Sequence, residues 1–371
     1  MIPVNRPLIT SEDLEAVSSA LASTYLSGET PPVSELEKNL ANYVGTADAV
    51  AVSTGTSALD LVIESLDIKQ GDHCVVPNFT IISTVSNLMR KTQNIDFIDA
   101  DPITWSINSD EAASKITEKT KLVLPVHIYG LPVDLDPILQ RADEFGTFVL
   151  EDAAEALGVG YKGRLCGSIG NAGVFSFFAN KIVTGGEGGA ITTNDKVLAK
   201  RLRSLRNLSH SSERFVHHET SWNLRMAGLP AALINSQLLR INKLIEVKKN
   251  IAEIYRAGLQ GHPWFQIMPD KVSYGENLFW VVPLLLNENS PVNASRFQVL
   301  LKGRGVDSRR FFCPMNLQPA FRESFAKIDQ HFPISEALWE RGLYLPSGLG
   351  NTRDELESVI SVLWELVDDN I

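Results

Sequence analysis

The chain has 371 residues, of which 44% are hydrophobic and 21% charged, as is ordinary for a soluble globular protein. Its formal net charge of −10 excludes broad binding to a nucleic acid backbone, because such binding requires clustered Lys and Arg. The cysteines, Cys74, Cys166 and Cys313, lie far apart without metal-ligand spacing, which favours reduced thiols over a zinc site or a disulfide framework.

The first ten residues, MIPVNRPLIT, lack the basic and apolar regions of a signal peptide, and no apolar run reaches bilayer length. We therefore expect a cytoplasmic protein that binds neither membrane nor nucleic acid. The length suggests two or three domains, and one large α/β unit with one smaller unit is the expected division. We expect a large domain over residues 1–250, with an N-terminal arm over 1–15, and a small C-terminal domain over 251–371.

Seven short apolar segments between residues 49 and 193 are typical of strands that are buried on both faces. In chain order they are AVAVS, HCVVP, NIDFID, KLVLPVH, FVLED, AGVFSF and GAITT. The intervening stretches, such as SALDLVIESL, ISTVSNLMRK and LDPILQRADEFG, have apolar residues at helical spacing. This α/β alternation predicts a mostly parallel seven-stranded central sheet flanked by helices. Ligands of such sheets bind at the carboxyl ends of the strands.

From Leu229 the pattern is helical, with no glycine until Gly258, which predicts one long bridging helix. Beyond a break at His262 and Pro263, the segment LFWVVPLLL is strand-like, and SRFQVLLKGRG is helical. An amphipathic helix is predicted from residue 354 to residue 367. This mixture favours a small α+β domain.

Lys181 lies in FSFFANKIVTGGEGGA, between an apolar strand and a glycine-rich turn. Such a position suits a lysine that reacts with a carbonyl group, because burial lowers its pKa and glycines leave room for a planar cofactor. A lysine at a strand end is also commonly surface charge, and a glycine cluster is commonly only a turn. The segment alone leaves both interpretations open.

Asp152 ends the strand FVLED. A buried acid there requires a cationic partner, and the protonated pyridine nitrogen of pyridoxal phosphate is one; capping of the next helix is the alternative. In AVSTGTSALDL, a strand gives way to a helix, whose N-terminus either cradles a phosphate or is capped without a ligand. Phe79 follows the strand HCVVP, where it either stacks on a cofactor or packs in the core.

Together these motifs resemble the sugar aminotransferase branch of the fold-type I pyridoxal phosphate enzymes, the DegT/DnrJ/EryC1/StrS family. The resemblance runs in order from PVNRPLI through AVSTGTSAL, PNFTIIST, EDAAEALG, FSFFANK and NLRM to FFCPMNLQPAF and LPSG. Within the family, the segments EDAAEA, FSFFANK and RRFFCPMNLQPAF are most similar to the GDP-perosamine synthase group. The resemblance implies the fold-type I fold with a smaller α+β C-terminal domain.

By position, the resemblance implies that Lys181 binds the cofactor covalently and moves the catalytic proton. It implies that Asp152 pairs with the pyridinium nitrogen and that Phe79 stacks on the ring. The implied phosphate ligands are Gly55, Thr56, Ser57, Ser176 and Asn223. Since Asn223 matches an asparagine that reaches the phosphate from the neighbouring subunit, a homodimer with shared active sites is implied.

Three further positions are candidates for substrate binding. Glu155, in EDAAEA, is expected near the ring or the sugar, or else bonded to backbone. His127, in PVHIYG, either faces the pocket or is a core histidine. Asn316 occupies a position where the family often has histidine. Other departures from the family pattern are Leu224, where an aromatic residue is usual, and Gly185, where threonine is common. These departures leave the cofactor-binding positions intact, and they bear on which sugar is bound.

The resemblance implies a two-step transamination. L-Glutamate converts pyridoxal phosphate to pyridoxamine phosphate and leaves as 2-oxoglutarate, and the amine then passes to C4 of a GDP-linked 4-keto-6-deoxy sugar, for a surface polysaccharide such as O-antigen. A dTDP- or UDP-linked sugar and amination at C3 are alternatives. Relatives that catalyse 3-dehydration have histidine at the position of Lys181, which favours transamination here.

Two other classes of protein are less favoured. A nucleotide-dependent oxidoreductase would have a GxGxxG motif directly after the first strand, and no such motif follows the first strand here. A non-catalytic sensor that binds the cofactor would usually have a basic helix-turn-helix extension, for which we expect no room before Pro3 or after Val367.

Overall fold

The computed structural model describes residues 1–213, 215–322 and 330–369. In chain order, its strands are β1 (Asp48–Val52), β2 (His73–Pro77), β3 (Ile95–Ile98), β4 (Thr120–Val123), β5 (Phe148–Asp152), β6 (Gly160–Tyr161), β7 (Arg164–Leu165), β8 (Ala172–Ser176), β9 (Gly189–Thr193), β10 (Phe265–Ile267), β11 (Lys271–Val272), β12 (Gly275–Glu276), β13 (Val282–Leu286), β14 (Arg309–Arg310) and β15 (Gly342–Leu345).

The α-helices are α1 (Ser11–Ala22), α2 (Pro31–Val44), α3 (Gly55–Ser65), α4 (Ser86–Lys91), α5 (Ser109–Lys115), α6 (Asp136–Phe145), α7 (Lys196–Arg206), α8 (Gly228–Leu238), α9 (Ile241–Gly258), α10 (Ala294–Gly303), α11 (Pro319–Arg322), α12 (Pro333–Arg341) and α13 (Arg353–Asp368). Short 3₁₀ helices lie at Ile82–Thr84, Ile128–Gly130 and Met315–Leu317. Among the described residues, no helix is both long and apolar enough to cross a bilayer.

The central sheet has seven strands in the order β1-β9-β8-β5-β4-β2-β3. Only the pairings that involve β9 are antiparallel; the others are parallel. The predicted mostly parallel, seven-stranded sheet is therefore confirmed, and each strand falls on one of the seven apolar segments. Because six strands run the same way, their carboxyl ends form one edge of the sheet.

Both faces of this sheet are buried, which explains the continuous apolar runs. Within β1, Val50 and Val52 pack into one hydrophobic cluster, while Ala49 and Ala51 pack into a second cluster on the other face. Side chains alternate between the faces of a strand, so a strand between two layers of helices needs apolar residues at every position.

The prediction of a single long helix after Leu229 is wrong, because the chain forms two helices there, α8 and α9. Arg240 lies between them with φ −118° and ψ 19°, outside helical geometry. Its guanidinium donates to the buried carboxylate of Asp13 in α1, with an Nη1–Oδ1 distance of 2.8 Å. The break is thus accompanied by a tertiary contact that no local pattern reveals.

The C-terminal part has its own antiparallel sheet, in the order β10-β13-β15-β14. A third hydrophobic cluster, formed mainly by α9, α10, α13 and this sheet, lies between residues 251 and 366. A small sheet joins β12 to β6 through one pairing, Gly275 with Tyr161, and thereby links the two parts. The domain boundary near residue 250 stays a prediction.

The first six residues run from the connection between α10 and β14 to the loop after β8. Ile2 donates its N–H to the carbonyl of Gly305 at 2.8 Å. Asn5 Nδ2 donates to the Ala179 carbonyl at 3.1 Å. Arg6 forms an ion pair with Glu355 of α13 at 2.8 Å. This N-terminal segment therefore connects α13 with the loop that contains Lys181.

Candidate active site

A cavity of about 400 Å³ opens at the carboxyl edge of the central sheet. Segments that follow β1, β2, β4, β5 and β8 form most of its wall, as parallel α/β sheets lead one to expect. The residues predicted from the sequence that line it are Gly55, Thr56, Asp152, Glu155, Ser176 and Lys181.

Lys181 places an amine in the wall of this cavity. Its Nζ lies 3.7 Å from Glu155 Oε1 and 3.7 Å from the centre of the Trp280 ring, and its side chain is 12% exposed. Burial lowers the pKa of Lys181, and the carboxylates of Glu155 and Asp152 only partly oppose this shift. Burial also raises the pKa of Glu155 to about 7, against the influence of Lys181.

The loop after β8 holds Lys181 in place through backbone hydrogen bonds. The Lys181 N–H donates to the Phe178 carbonyl at 2.9 Å. The chain then turns back through Gly186, whose φ of 80° lies in the left-handed region that favours glycine. A Cβ at Gly185 would lie 2.8 Å from Ile234 Cδ1, so this chain has no room for the threonine that is common there.

Asp152, at the end of β5, is 3% exposed. Its Oδ2 accepts from the Thr84 hydroxyl at 3.0 Å, and its Oδ1 accepts from the Ala154 N–H at 3.1 Å. Burial raises the pKa of Asp152, and these hydrogen bonds oppose the shift. The Thr84 hydroxyl also contacts the Thr80 hydroxyl at 2.9 Å. A buried carboxylate held in this way is suited to a cationic ligand atom.

The N-terminus of α3 forms another part of the wall. Thr54 caps it, since its Oγ1 accepts from the Ser57 N–H at 3.0 Å. A Cβ on Gly55 would lie 2.9 Å from Ser176 Cβ and 3.2 Å from its Oγ, so glycine allows the Ser176 hydroxyl to approach the helix end. The Ser57 hydroxyl instead bonds to Ser53 and Thr54 at 3.1 and 2.9 Å. Helix N–H groups and a hydroxyl thus converge where an anion could bind.

Phe79 lies behind the cavity wall rather than in it. It is 1% exposed and packs against Tyr129, Phe311 and Phe312, with ring centres about 6 Å apart. Ile81, two residues further along and 47% exposed, lines the cavity instead. The sequence left two interpretations of Phe79 open, stacking on a cofactor and packing in the core. The observed packing agrees with the second.

His127 lies in the core, outside the cavity wall. Its Nε2 donates to Glu151 Oε2 at 3.1 Å, and its Nδ1 accepts from the Val133 N–H at 3.0 Å. With Cys166, these two residues bring three possible metal-ligand atoms within 4.8 Å of one another. However, the Glu151 carboxylate already accepts backbone N–H groups of residues 167, 169 and 170. The cluster therefore has a sufficient structural explanation, because it joins the loops after β4 and β7 to strand β5.

Asn316 and Asn223 also lie outside the cavity wall of their own chain. Asn316 exchanges two hydrogen bonds with Asn78, both at 3.0 Å, and donates to Glu336 at 2.7 Å. Asn223 is exposed and pairs with Asn207 through a β-bridge. The neighbouring Leu224 accepts a hydrogen bond from the Ser53 N–H at 2.9 Å, which attaches the Asn223 segment to the end of β1.

The C-terminal part supplies wall residues that the sequence analysis did not name. They are Trp280, Arg309, Phe312 and Tyr344. Arg309 and Phe312 belong to the segment RRFFCPMNLQPAF, whose resemblance to the family was the available signal. Trp280 and Tyr344 lie in apolar strand-like segments that look like core.

The family model of the DegT/DnrJ/EryC1/StrS aminotransferase family matches residues 7–364. A GDP-perosamine synthase from Vibrio cholerae is 31% identical over 365 residues, which is 98% of each chain. Another, from Caulobacter vibrioides, is 33% identical and covers 98% of this chain and 97% of its own. The solved aminotransferase TlmJ from Streptoalloteichus hindustanus superposes with a TM-score of 0.92 at 27% identity over 100% of both chains.

The chain belongs to the DegT/DnrJ/EryC1/StrS aminotransferase family. It is a pyridoxal phosphate-dependent sugar aminotransferase, with pyridoxamine phosphate as the second form of the cofactor. The structure agrees with this assignment in three places. The cavity contains a buried amine at Lys181, a buried carboxylate at Asp152, and an anion cradle between Gly55 and Ser176.

Proposed function

We propose that this protein transfers the amino group of L-glutamate to C4 of GDP-4-keto-6-deoxy-D-mannose, forming GDP-perosamine and 2-oxoglutarate. The identity of 31–33% to GDP-perosamine synthases over nearly the whole chain supports this substrate. The observation that carries the proposal is Lys181, a buried amine with a lowered pKa inside the cavity. The expected place of the reaction is the cytoplasm, as a step towards a surface polysaccharide such as O-antigen.

Pyridoxal phosphate, when bound, supplies an electron sink for the negative charge left after a proton is removed from the substrate carbon. Asp152 would hold the cation at the pyridine nitrogen, and burial of the carboxylate strengthens that contact. The phosphate would lie at the N-terminus of α3, within reach of Gly55, Thr56 and Ser176. Ser57 would act there through its backbone N–H, since its hydroxyl already has two partners.

Lys181 would move the proton. Burial favours its neutral form, so that Nζ can accept a proton from the substrate carbon. Glu155, 3.7 Å away and with a pKa of about 7, can take up or return that proton near neutral pH. The Tyr129 N–H donates to Glu155 Oε2 at 2.8 Å, which leaves Oε1 facing Lys181.

The active protein in this proposal is a homodimer. Apolar residues of the cavity rim are exposed in the single chain: Ile81 is 47% exposed and Phe178 is 42% exposed. The exposed Asn223 lies outside the cavity of its own chain, which fits a residue that reaches the phosphate of the neighbouring subunit. Trp222 beside it is 42% exposed, as expected for a surface that a partner covers.

The test is a mass-spectrometric screen of GDP-, dTDP- and UDP-linked keto sugars with L-glutamate. We expect a 4-amino product from the GDP-linked sugar above all others. A dTDP- or UDP-linked product, or amination at C3, would reassign the substrate within the same reaction. If no keto sugar is aminated while pyridoxal phosphate still binds, the non-catalytic sensor becomes the better proposal.

A further inference from the structure

The amine of Lys181 lies over the ring of Trp280. Its Nζ is 3.7 Å from the centre of that ring, well within the distance of about 6 Å at which an aromatic face attracts a cation. The same nitrogen lies 3.7 Å from Glu155 Oε1. The charged form of the amine therefore has two favourable neighbours, a carboxylate and a π face, in a cavity where burial favours the neutral form.

The loop of Lys181 itself fixes the orientation of the Trp280 ring. Trp280 Nε1 donates a hydrogen bond to the carbonyl of Asn180 at 2.9 Å, and Asn180 directly precedes Lys181 in the chain. The Tyr129 ring packs nearly parallel to the Trp280 ring, with an angle of 23° and a distance of 6.3 Å between centres. Trp280 is only 4% exposed. The ring is therefore held in place on the side of the cavity that Lys181 faces.

The backbone before Trp280 adopts an unfavourable conformation. Phe279 has a φ of 55°, in the left-handed region that residues other than glycine rarely adopt. Phe279 packs into the hydrophobic cluster of the C-terminal part, whereas Trp280 packs into a cluster of the central sheet. The Phe279 N–H donates to Asn277 Oδ1 at 2.7 Å, which helps to hold this turn. Backbone strain of this kind concentrates at functional sites.

Transamination requires Lys181 to carry a positive charge for part of each turnover. When Nζ takes a proton from the substrate carbon it becomes an ammonium group, and it is neutral again once that proton is given up. Burial makes this transient charge costly. The ring of Trp280 attracts the cation but cannot accept its proton, whereas the Glu155 carboxylate, with a pKa of about 7, can. The two neighbours thus differ in what they do to the proton.

We propose that Trp280 is a catalytic residue, whose π face stabilises the protonated amine of Lys181 between the uptake and the release of the proton. This inference rests on the proposed transamination and adds a residue to it. The aromatic character of residue 280 should therefore matter in addition to its volume and its indole N–H.

The first test uses the cofactor-free protein and needs no turnover. Acetylation of Lys181 by acetic anhydride is followed by peptide mass spectrometry as a function of pH, since only the neutral amine reacts. Trp280→Phe and Trp280→Leu both lose the indole N–H, and they differ in whether a π face remains. In Trp280→Leu, the pKa of Lys181 should fall. Below the inflection, acetylation relative to its plateau at high pH should be about 3- to 10-fold faster than in the wild type, with Trp280→Phe in between.

The second test uses the holoenzyme. The first half of the reaction is followed through the cofactor absorbance after addition of L-glutamate without a sugar. The limiting rate should fall about tenfold in Trp280→Leu and about threefold in Trp280→Phe, because the charge that forms on Nζ loses its attraction to the ring. The Kd for L-glutamate should change less than about threefold, since the π face acts on a charge that appears only during the reaction.

Trp339→Leu is the matched control. Trp339 also has a cation–π contact, with the Arg310 guanidinium 5.1 Å from its ring centre, but it lies outside the described cavity wall. Its replacement should change neither the acetylation of Lys181 nor the half-reaction. Cofactor content and thermal unfolding establish that the variants are folded. If Trp280→Leu does not fold, Trp280→Met takes its place, because methionine fills irregular space.

Two results would overturn the inference. Equal acetylation profiles in Trp280→Phe and Trp280→Leu would show that only the volume or the indole N–H of Trp280 matters. A weaker affinity for L-glutamate with an unchanged limiting rate would assign the ring to substrate binding instead.

Failure of the proposed function gives a different result. If the wild-type protein reacts with L-glutamate but not with the GDP-linked sugar, the sugar is wrong and both tests of Trp280 still stand. If the wild-type protein does not react with L-glutamate, the acetylation test still decides whether the ring stabilises the charged amine, because it needs neither substrate.

Discussion

The amine of Lys181 and the carboxylate of Glu155 lie 3.7 Å apart, and the two side chains are only 12% and 8% exposed. Burial acts on the two groups in opposite ways, since it lowers the pKa of Lys181 and raises that of Glu155 to about 7. The gap between their pKa values is therefore narrower than in water, which lowers the free-energy cost of proton transfer between them. They should titrate as a pair.

Replacement of Lys181 by alanine tests the central assignment. We expect transamination to fall by about 10⁴-fold or more, as for loss of a group that acts in every turnover, and the absorbance of covalently bound pyridoxal phosphate to disappear. Lys196→Ala, at an exposed position in α7, should leave both unchanged. A fully active Lys181→Ala protein would refute the assignment.

Glu155→Gln should change stability in a pH-dependent way. The pKa of Glu155 rises from 4.5 in the unfolded chain to about 7 in the fold. The folded protein thus binds the Glu155 proton more tightly than the unfolded chain does. The stability gained in this way is fully present below the pKa of the unfolded chain, and it is lost as the pH rises through the pKa of the folded protein. In the apoprotein, Glu155→Gln should raise the free energy of unfolding by about 1–2 kcal/mol near pH 8 and change it little near pH 4.5.

The measurement is urea denaturation of the cofactor-free protein at both pH values. Glu144→Gln, at an exposed ion pair with Arg141, serves as a control and should show no comparable pH dependence. An equal effect of Glu155→Gln at the two pH values would mean that the fold does not raise the pKa of Glu155.

Asp152→Asn tests the cationic partner of the buried carboxylate. The amide has nearly the same shape but no charge, so the pyridinium nitrogen would lose its counterion. We expect kcat to fall about 10²- to 10³-fold, as for loss of one electrostatic contact to the reacting centre. Asp143→Asn, exposed on α6, should have no effect. Thr84→Val removes the hydroxyl that donates a hydrogen bond to Asp152, and it should lower kcat about three- to tenfold.

Gly55→Ala tests the phosphate cradle. The added Cβ would lie 2.9 Å from Ser176 Cβ, so the serine must move away from the N-terminus of α3. We expect the Kd for pyridoxal phosphate to rise about tenfold, in keeping with a cost of about 1–2 kcal/mol for overpacking. Gly303→Ala is the control, because a Cβ there meets no atom within 4 Å. Equal cofactor affinity in both variants would argue against the cradle.

Mixing two impaired variants tests whether Asn223 acts across the dimer. Asn223→Ala should lose about 10- to 100-fold of the activity, as expected for a lost hydrogen bond to a phosphate. When it is refolded together with Lys181→Ala, each mixed dimer contains one site with an intact Lys181 and an intact Asn223. Random pairing should then restore about a quarter of the wild-type activity. No recovery would mean that Asn223 serves its own chain.

Most of the central sheet could be predicted from the sequence, because strands buried on both faces have unmistakable apolar runs. The same topology explains why Asp152, Gly55 and Lys181 meet, since each follows a strand whose carboxyl end lies at the same edge. The break before Arg240 could not be predicted, because the pairing of Arg240 with Asp13 joins residues that are far apart in the chain.

The limits of prediction within the site have a similar origin. Trp280 and Tyr344 come from the C-terminal part, where their apolar neighbours give no indication of a cavity. Phe79 and Ile81 belong to one motif, and only the path of the loop decides that Ile81 lines the cavity. The sequence pattern identified the motif. Because Phe79 packs against Tyr129 in the core, Ile81 is the residue of this motif that lines the cavity.

The N-terminal segment that joins Glu355 to the loop of Lys181 has a practical consequence. Asn5 donates a hydrogen bond to the carbonyl of Ala179, two residues before Lys181. Removal of residues 1–6, or an affinity tag that displaces them, is expected to disturb the loop of Lys181 from a position remote in sequence, because the Asn5–Ala179 hydrogen bond would be lost. Purification tags therefore belong at the other terminus, and a low specific activity of an N-terminally tagged preparation would not be evidence against catalysis.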